Sequence, residues 1–194
     1  MLKLENIRKT LFVVTGDYVV RSKPKVCEKL KNVLGVDPID LYKLQLQQYQ
    51  RYGFMSIKER EILYDIGVKT MFAETFIRLN DDNNVVVVGE FDVSYQDWLY
   101  NIAHTYGYDT FIINCQETDF EASYNLFSEV LSNPSEQDKP RYACKYIPEV
   151  LYVPNVVLDD MGKEWYKMEY DKQSCLKLIG GRIMTDTDFM QEVE

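Results

Sequence analysis

Four consecutive valines, Val85 to Val88, are the feature that most constrains the fold of this 194-residue chain. They lie in the stretch NNVVVVGEFD, which runs directly into Gly89, Glu90 and Asp92. Valine is stiff at χ1 and favours extended backbone, and four apolar side chains in succession are costly to leave in water. The stretch therefore predicts a buried β-strand that ends beside two carboxylates.

The residues after the valines predict an α/β (α+β) fold. Apolar residues at helical spacing indicate a helix over 95–106, with Asp92 or Ser94 as its cap. The apolar stretch 109–115 predicts a second strand, so that 85–115 form a βαβ unit. We expect this unit to lie at the centre of a mixed sheet.

The length of the chain fits a single domain, 1–194, and its composition divides this domain into three parts. Residues 1–70 predict a helical and basic part, residues 71–138 an acidic α/β core, and residues 139–194 a β-rich C-terminal part. Within the core, the partly alternating stretch 72–79 predicts a strand that pairs antiparallel with the valines.

The helical part also contains a predicted hairpin. Two β-rich runs, 11–14 and 18–20, flank Thr15-Gly16-Asp17, which is typical of a three-residue hairpin loop. Three helices are then expected, over 24–34, over 38–52 with Ile39 on its apolar face, and from 56 until Gly67 ends the third.

The second and third of these helices have the arrangement of a helix-turn-helix. The second helix of such a motif would present Lys58, Glu59, Arg60 and Glu61 to a nucleic acid. Two acids among four exposed positions are a poor match to phosphate, so direct nucleic-acid binding is not expected.

The charge is distributed unevenly, although the total is −9. Residues 1–70 carry 13 Lys and Arg against 8 Asp and Glu, whereas residues 71–138 carry Arg78 alone against 13 acids. An acidic block of this kind repels nucleic acid and attracts basic surfaces. The leading hypothesis is a non-enzymatic acidic interaction or inhibitor protein that binds a basic protein surface, with nucleic-acid mimicry as one form of it. A solvated acidic face that serves solubility is the plainer interpretation.

Tyrosines near the acids favour a protein partner, because tyrosine offers a large contact area at low entropic cost. An arginine-rich surface of a nucleic-acid-binding protein would suit these groups. The residues expected to bind it are Asp81, Asp82, Asp97, Asp109, Glu117, Asp119, Tyr106 and Tyr108.

A Mg²⁺-dependent phosphodiesterase or nuclease is the first alternative function. Glu90 and Asp92 follow one predicted strand, Glu117 and Asp119 follow the next, and parallel strands bring their carboxyl ends to one edge. Glu90, Asp92 and Glu117 would be the catalytic residues, and all four would be metal ligands. Asp92 as a helix cap and Asp119 in the first turn of a helix are explained without any ion, so no metal or cofactor is favoured.

A structural subunit of a larger assembly is the second alternative, because 15 Tyr, 9 Phe and 2 Trp supply abundant interface material. Neither alternative has a specific motif.

Several chemistries are disfavoured by what the sequence lacks. His104 is the one histidine and the cysteines lie far apart in sequence, so a Cys/His zinc site is not expected. Neither G-x-G-x-x-G nor G-x-x-x-x-G-K-[ST] occurs, which argues against nucleotide binding through those loops, and G-x-S-x-G is absent too. With no signal-peptide core and no membrane-length apolar run, the expected location is the cytoplasm.

Overall fold

The computed structural model describes residues 7–16, 22–52, 57–115, 119–132, 163–164, 167 and 182–192. The strands are β1 Thr10–Gly16, β2 Ile39–Asp40, β3 Val85–Val88, β4 Asp109–Cys115 and β5 Arg182–Thr185. The helices are α1 Ser22–Leu34, α2 Leu41–Tyr52, α3 Ile57–Leu79, α4 Val93–Thr105, α5 Phe120–Ser132 and α6 Asp186–Glu192. The expected α/β fold class is confirmed.

The chain forms two compact units that interleave along the sequence. The first unit comprises Met1–Asp40, Ala73–Gln116 and Lys172–Glu194, and it contains all five strands. The second comprises Leu41–Phe72 and Glu117–Asp171. The division into three parts by composition stays a prediction.

The five strands form one sheet in the order β2-β3-β1-β4-β5, and every pairing is parallel. β1 occupies the centre, with Val14 opposite Val88 of β3 and Ile113 of β4, and all seven of its residues are buried. The expected mixed sheet is corrected on this point, because each described connection crosses over and returns in the same direction.

One face of the sheet packs against α1 and α6. Val26 and Leu30 of α1 and Phe189 of α6 are fully buried there. Their core partners on the strands are Phe12, Val14, Val86, Val88, Phe111, Ile113, Cys115 and Met184. The alternation of buried faces along each strand places these side chains together.

The opposite face is covered by α4, which packs against β1 and β4 through the buried Leu99 and Ala103. The helix begins after Asp92, and the chain leaves it through Gly107 at φ +73°. The predicted valine strand, the helix after it and the strand at 109–115 are confirmed, and so is the βαβ crossover.

The predicted strand at 72–79 is wrong, because these residues are the C-terminal part of α3. Met71, Thr75 and Leu79 are all nearly inaccessible and lie four residues apart, which is helical spacing. The eight residues FAETFIRL fit both the two-residue period of a strand and the 3.6-residue period of a helix. Burial along one side of α3 favours the helix. The antiparallel pair with the valines therefore does not form.

Gly67 does not end a helix, as the sequence indicated, but lies within α3. A Cβ atom at this position would approach Cγ of Gln45 in α2 to 2.8 Å. Gly67 thus permits a close approach between α2 and α3 within the second unit, whereas the sequence indicated that it ends a helix.

The N-terminal hairpin is also wrong. β1 is hydrogen-bonded to β3 on one side and to β4 on the other, so neither edge can accept an antiparallel neighbour. The run at 18–20 lies outside the described residues. Ile39, expected on a helix, belongs to β2, and the helix expected at 24–34 is confirmed.

The C-terminal part was expected to be rich in β-strands, but most of it lies outside the described residues. Those that the structure describes at 182–192 form the edge strand β5 and the helix α6. In the described part of the chain, no helix combines the length and the apolar character needed to cross a membrane.

A buried asparagine fastens the amino-terminal ends of two central strands. Asn84, 8% exposed, accepts a hydrogen bond from Thr10 N at 3.1 Å and donates one to Ile7 O at 2.8 Å. The turn before β3 is thereby joined to the start of β1.

We expect Asn84→Ala to lower the free energy of unfolding by about 1–3 kcal/mol, because it leaves the buried Thr10 N–H without its acceptor. The matched control is Asn83→Ala, since Asn83 is exposed and adjacent. Urea unfolding of the three proteins measures both effects. Equal losses in the two variants would contradict the fastening role of Asn84.

Candidate functional site

The strand order marks one edge of the sheet as the place where a ligand would bind. The connection after β1 leads to β2 on one side, and the connection after the neighbouring β4 leads to β5 on the other. In open α/β sheets, ligands bind beyond the carboxyl ends of strands at such a point. The ends of β1 and β4 are Gly16 and Cys115, which lie opposite each other in the register.

Gly16 is required by close backbone packing. Its φ of +129° disfavours other residues, and a Cβ atom there would lie 1.9 Å from the carbonyl oxygen of Cys115. The glycine therefore lets the main chain leave β1 directly against the end of β4.

Lys23, the second residue of α1, lies at the same edge of the sheet. Its side chain is 5% exposed, and its Nζ donates a hydrogen bond to Gly16 O at 2.6 Å. A buried ammonium group is costly unless it finds acceptors. The first turn of α1 contains no acid, and the helix amino terminus adds partial positive charge. The β1–α1 junction therefore holds a buried cation at the edge of the sheet.

The pKa of the Cys115 thiol depends on the charged groups around this junction. Burial raises the pKa of Cys115 to about 12, while the positive charge of Lys23 lowers it and the negative charge of Asp186 raises it. Asp186 is the first residue of α6 and is 8% exposed. Lys23 and Asp186 thus both lie within electrostatic reach of Cys115. Cys115 is a neutral thiol, not a nucleophile.

The raised pKa of Cys115 predicts a loss of stability in alkali. The unfolded thiol loses its proton near pH 9, while the folded one keeps it until about 12, so the free energy of unfolding falls as the pH rises through that window. Urea unfolding at about pH 7.5 and about pH 10.5 compares the wild type with Cys115→Ala. We expect the stability advantage of the wild type over the variant to shrink at the higher pH, and a constant advantage would contradict the burial of the thiol.

The chain at the end of β3 is held against β1 by hydrogen bonds from its backbone N–H groups. Gly89 N donates to Val14 O at 3.1 Å, and Phe91 N donates to Thr15 Oγ1 at 3.1 Å. Glu90 lies between these contacts and is buried. The two carboxylates after the valines therefore lie at the carboxyl edge, as the sequence indicated.

Asp92 is the N-cap of α4. Its Oδ1 accepts hydrogen bonds from Tyr95 N at 3.0 Å and from Ser94 Oγ at 2.6 Å. The next turn is fixed by Gln96, whose Nε2 donates to Phe91 O at 2.7 Å. Capping therefore accounts for Asp92 without an ion.

The described carboxylates do not assemble into a metal site. Among the described residues, no group of three or more His, Cys, Asp or Glu side chains could hold an ion. Asp119 belongs to the second unit, where its Oδ1 accepts from Glu121 N at 3.0 Å at the start of α5. Glu117 lies outside the described residues, so its catalytic and metal-binding roles stay predictions.

The capping role of Asp92 distinguishes two substitutions. We expect Asp92→Ala to lower the free energy of unfolding by about 1 kcal/mol and Asp92→Asn to leave it nearly unchanged, because asparagine is an equally good N-cap. Thermal melts with and without Mg²⁺ measure both. A Mg²⁺-dependent stabilisation of the wild type that Asp92→Asn abolishes would refute the cap as the full explanation.

The acids and tyrosines expected to bind a partner have varied surroundings. Asp82, in the turn before β3, forms an exposed ion pair with Lys9 at 2.7 Å. Tyr106 packs edge-on against Phe76, with ring centroids 5.4 Å apart. Tyr108 is 4% exposed, and burial raises its pKa. Its contact with a partner surface stays a prediction. Of the acids predicted to bind a partner, Asp81, Asp82, Asp97 and Asp109 are exposed and belong to the first unit.

No protein-family model and no curated protein matches the sequence. Among the solved structures that match is one described as a "putative kinase" from Chloroflexus aurantiacus, with a TM-score of 0.62. The two sequences are 12% identical, and the match covers 94% of this chain and 95% of the other. At this identity the likeness shows the fold alone. The chain shares the α/β fold of that structure.

The likeness corrects the leading hypothesis from the sequence. A non-enzymatic acidic interaction or inhibitor protein that binds a basic protein surface, with nucleic-acid mimicry as one form of it, was expected. This expectation is wrong because 94% of the chain matches the fold of a structure described as a "putative kinase". The inference failed because it rested on the net charge of a segment, which says nothing about the fold.

Sequence reasoning missed Gly16 and Lys23. The stretch LFVVTG was assigned to a hairpin, and the test for a phosphate loop required a complete motif. A usable signal was nevertheless present: a strand that ends in glycine, followed by a helix with a lysine at its second position.

Proposed function

We propose that the chain is a phosphotransferase that binds the phosphate groups of a nucleoside triphosphate at the β1–α1 junction, where Lys23 contacts them. The observation that carries this proposal is the burial of the Lys23 ammonium at the carboxyl edge, with Nζ 2.6 Å from Gly16 O. The fold shared with a chain described as a "putative kinase" supports it.

The chemistry of the junction suits an anion better than a neutral ligand. The ammonium of Lys23 donates to Gly16 O, and a phosphate oxygen at this edge would accept a charge-assisted hydrogen bond from the same group. The amino terminus of α1, a helix of 13 residues without an acid in its first turn, favours the same charge. The site lies in the basic first third of the sequence, which supplies the cations that the acidic block lacks.

The junction departs from the phosphate-loop motif in three respects. The separation between Gly16 and Lys23 is one residue longer than in G-x-x-x-x-G-K, Ser22 replaces the second glycine, and Pro24 follows the lysine in place of Ser or Thr. The shared features are the parallel strand, the glycine at its end and the lysine in the first turn of the next helix.

These departures affect how Mg²⁺ would be held. Phosphoryl transfer gathers negative charge, which Mg²⁺ bound to the nucleotide usually neutralises. Pro24 has no hydroxyl to bind the ion, so Ser22 and the carboxylate of Asp186 are the groups of the junction that would take this place. Glu90, buried at the end of β3, is a further carboxylate of the same edge.

Substitution of Lys23 tests the proposal. We expect Lys23→Met to weaken the binding of Mg²⁺·ATP by at least about tenfold and to reduce phosphate release or transfer by about 10²-fold, because removal of one positioned donor has effects of this size. The fold should survive, since methionine fills a similar volume without a buried charge.

Lys25→Met is the matched control, because Lys25 lies two residues further along the same helix and is exposed. Calorimetric titration with Mg²⁺·ATP, together with an assay of phosphate release, compares the three proteins. Binding that is equal in wild type and Lys23→Met, with both proteins folded, would refute the proposal.

A further inference from the structure

A second concave site lies at the amino-terminal edge of the sheet, the edge away from the β1–α1 junction. It is a cavity of about 430 Å³ in the first unit. Thr10 at the start of β1, Asp109 at the start of β4 and Arg182 at the start of β5 all line it. Its volume falls within the range of small-molecule sites.

The walls of this cavity are largely aromatic. Tyr100 and His104, one turn apart on α4, are stacked with ring centroids 6.0 Å apart. Phe111 of β4 lies beneath the guanidinium of Arg182, whose Cζ is 5.6 Å from the ring centroid. Flat surfaces of this kind stack favourably on another planar ring.

The cavity also contains polar groups whose hydrogen bonding is incomplete. Tyr108 and Thr110 line it, both are more than nine-tenths buried, and neither hydroxyl has a hydrogen-bond partner in the described part of the protein. Orphaned hydroxyls are rare in native proteins and call for an explanation, such as a ligand or a water molecule.

Two charged groups define what such a ligand would carry. Asp109 brings an exposed carboxylate, which only accepts hydrogen bonds, and Arg182 brings a guanidinium, which only donates them. The Nη2 atom of Arg182 is 3.7 Å from Glu192 Oε2, beyond hydrogen-bond distance, and its side chain is 56% exposed. A matching ligand presents both a donor and an acceptor on the rim of a planar ring.

We propose that this cavity binds the base of a nucleoside, with the ring against the aromatic walls, an N–H of the base on Asp109 and a ring acceptor on Arg182. The site is separate from the β1–α1 junction and takes part in no step assigned to Lys23. Purine and pyrimidine bases combine the planar shape with the paired donor and acceptor that the cavity requires.

The single histidine of the chain makes the cavity directly observable. His104 gives one imidazole signal in a proton NMR spectrum, and its ring forms part of the wall. We expect titration of the full chain with adenosine, up to about 10 mM, to shift this signal in a saturable manner with a Kd of about a millimolar or less.

Variants connect the shift to the proposed contacts. Asp109→Asn and Arg182→Gln should each weaken adenosine binding by about tenfold, because each leaves a ring-edge group without its partner. Asp97→Asn is the matched control, since Asp97 is an exposed acid of α4 that does not line the cavity, and it should leave the titration unchanged.

The proposal would be overturned by the absence of a shift of the His104 signal, by an equal shift with benzoate, or by a shift that both cavity variants retain. Benzoate has a planar ring and an acceptor but no N–H donor. Lys23→Met separates this proposal from the preceding one. If Lys23→Met binds Mg²⁺·ATP as the wild type does and keeps the adenosine shift, only the phosphotransferase proposal fails. If Lys23→Met loses the adenosine shift, the cavity is not the nucleoside site.

Discussion

The structure depends on β1 lying in the middle of the sheet with both of its edges hydrogen-bonded. Pairing with β3 and β4 buries all seven residues of the strand, and side chains from α1 and α6 on one face and α4 on the other cover it. Because the strand is parallel to both neighbours, its two ends acquire different surroundings. The carboxyl end meets the first turn of α1, and the amino end meets the cavity beside β4 and β5.

Three acids of the acidic block, 71–138, have local explanations in the structure. Asp92 and Asp119 cap helices through backbone N–H groups, and Asp82 pairs with Lys9 in a turn. Carboxylates are favourable at helix amino termini, so a chain with several helices after strands accumulates them there. Net charge summed over a segment hides these separate uses, whereas one buried cation, Lys23, marks the edge where chemistry is proposed.

Local patterns predicted a large part of the secondary structure. Three elements were recognisable from the sequence: the valine run, the helix α4 with its row of apolar residues, and the apolar strand at 109–115. Each has a distinct pattern of apolar residues and a clear signal at its boundary. The stretch 72–79 was misassigned because eight residues fit two periods at once. The role of Gly67 was misassigned because a close helix contact and a helix end both require glycine.

The candidate sites were less accessible to sequence reasoning. Glu90 and Asp92 were placed correctly at the carboxyl edge, but their function could not be separated from capping without the contacts of Asp92 Oδ1. The burial of Lys23 and the convergence of His104 and Arg182 on one cavity join residues far apart in the chain. Such proximity depends on strand order, which periodicity does not encode.

The sequence by itself determined the fold class, the buried strand β3 and the crossover through α4, because a run of valines and helical spacing are local features of the sequence. The tertiary structure alone decided the parallel order of the five strands and the central place of β1. It also decided that a lysine and a glycine with no complete motif meet at a hydrogen-bonded junction. The physical reason is that long-range pairing and burial select among local alternatives whose intrinsic energies are nearly equal.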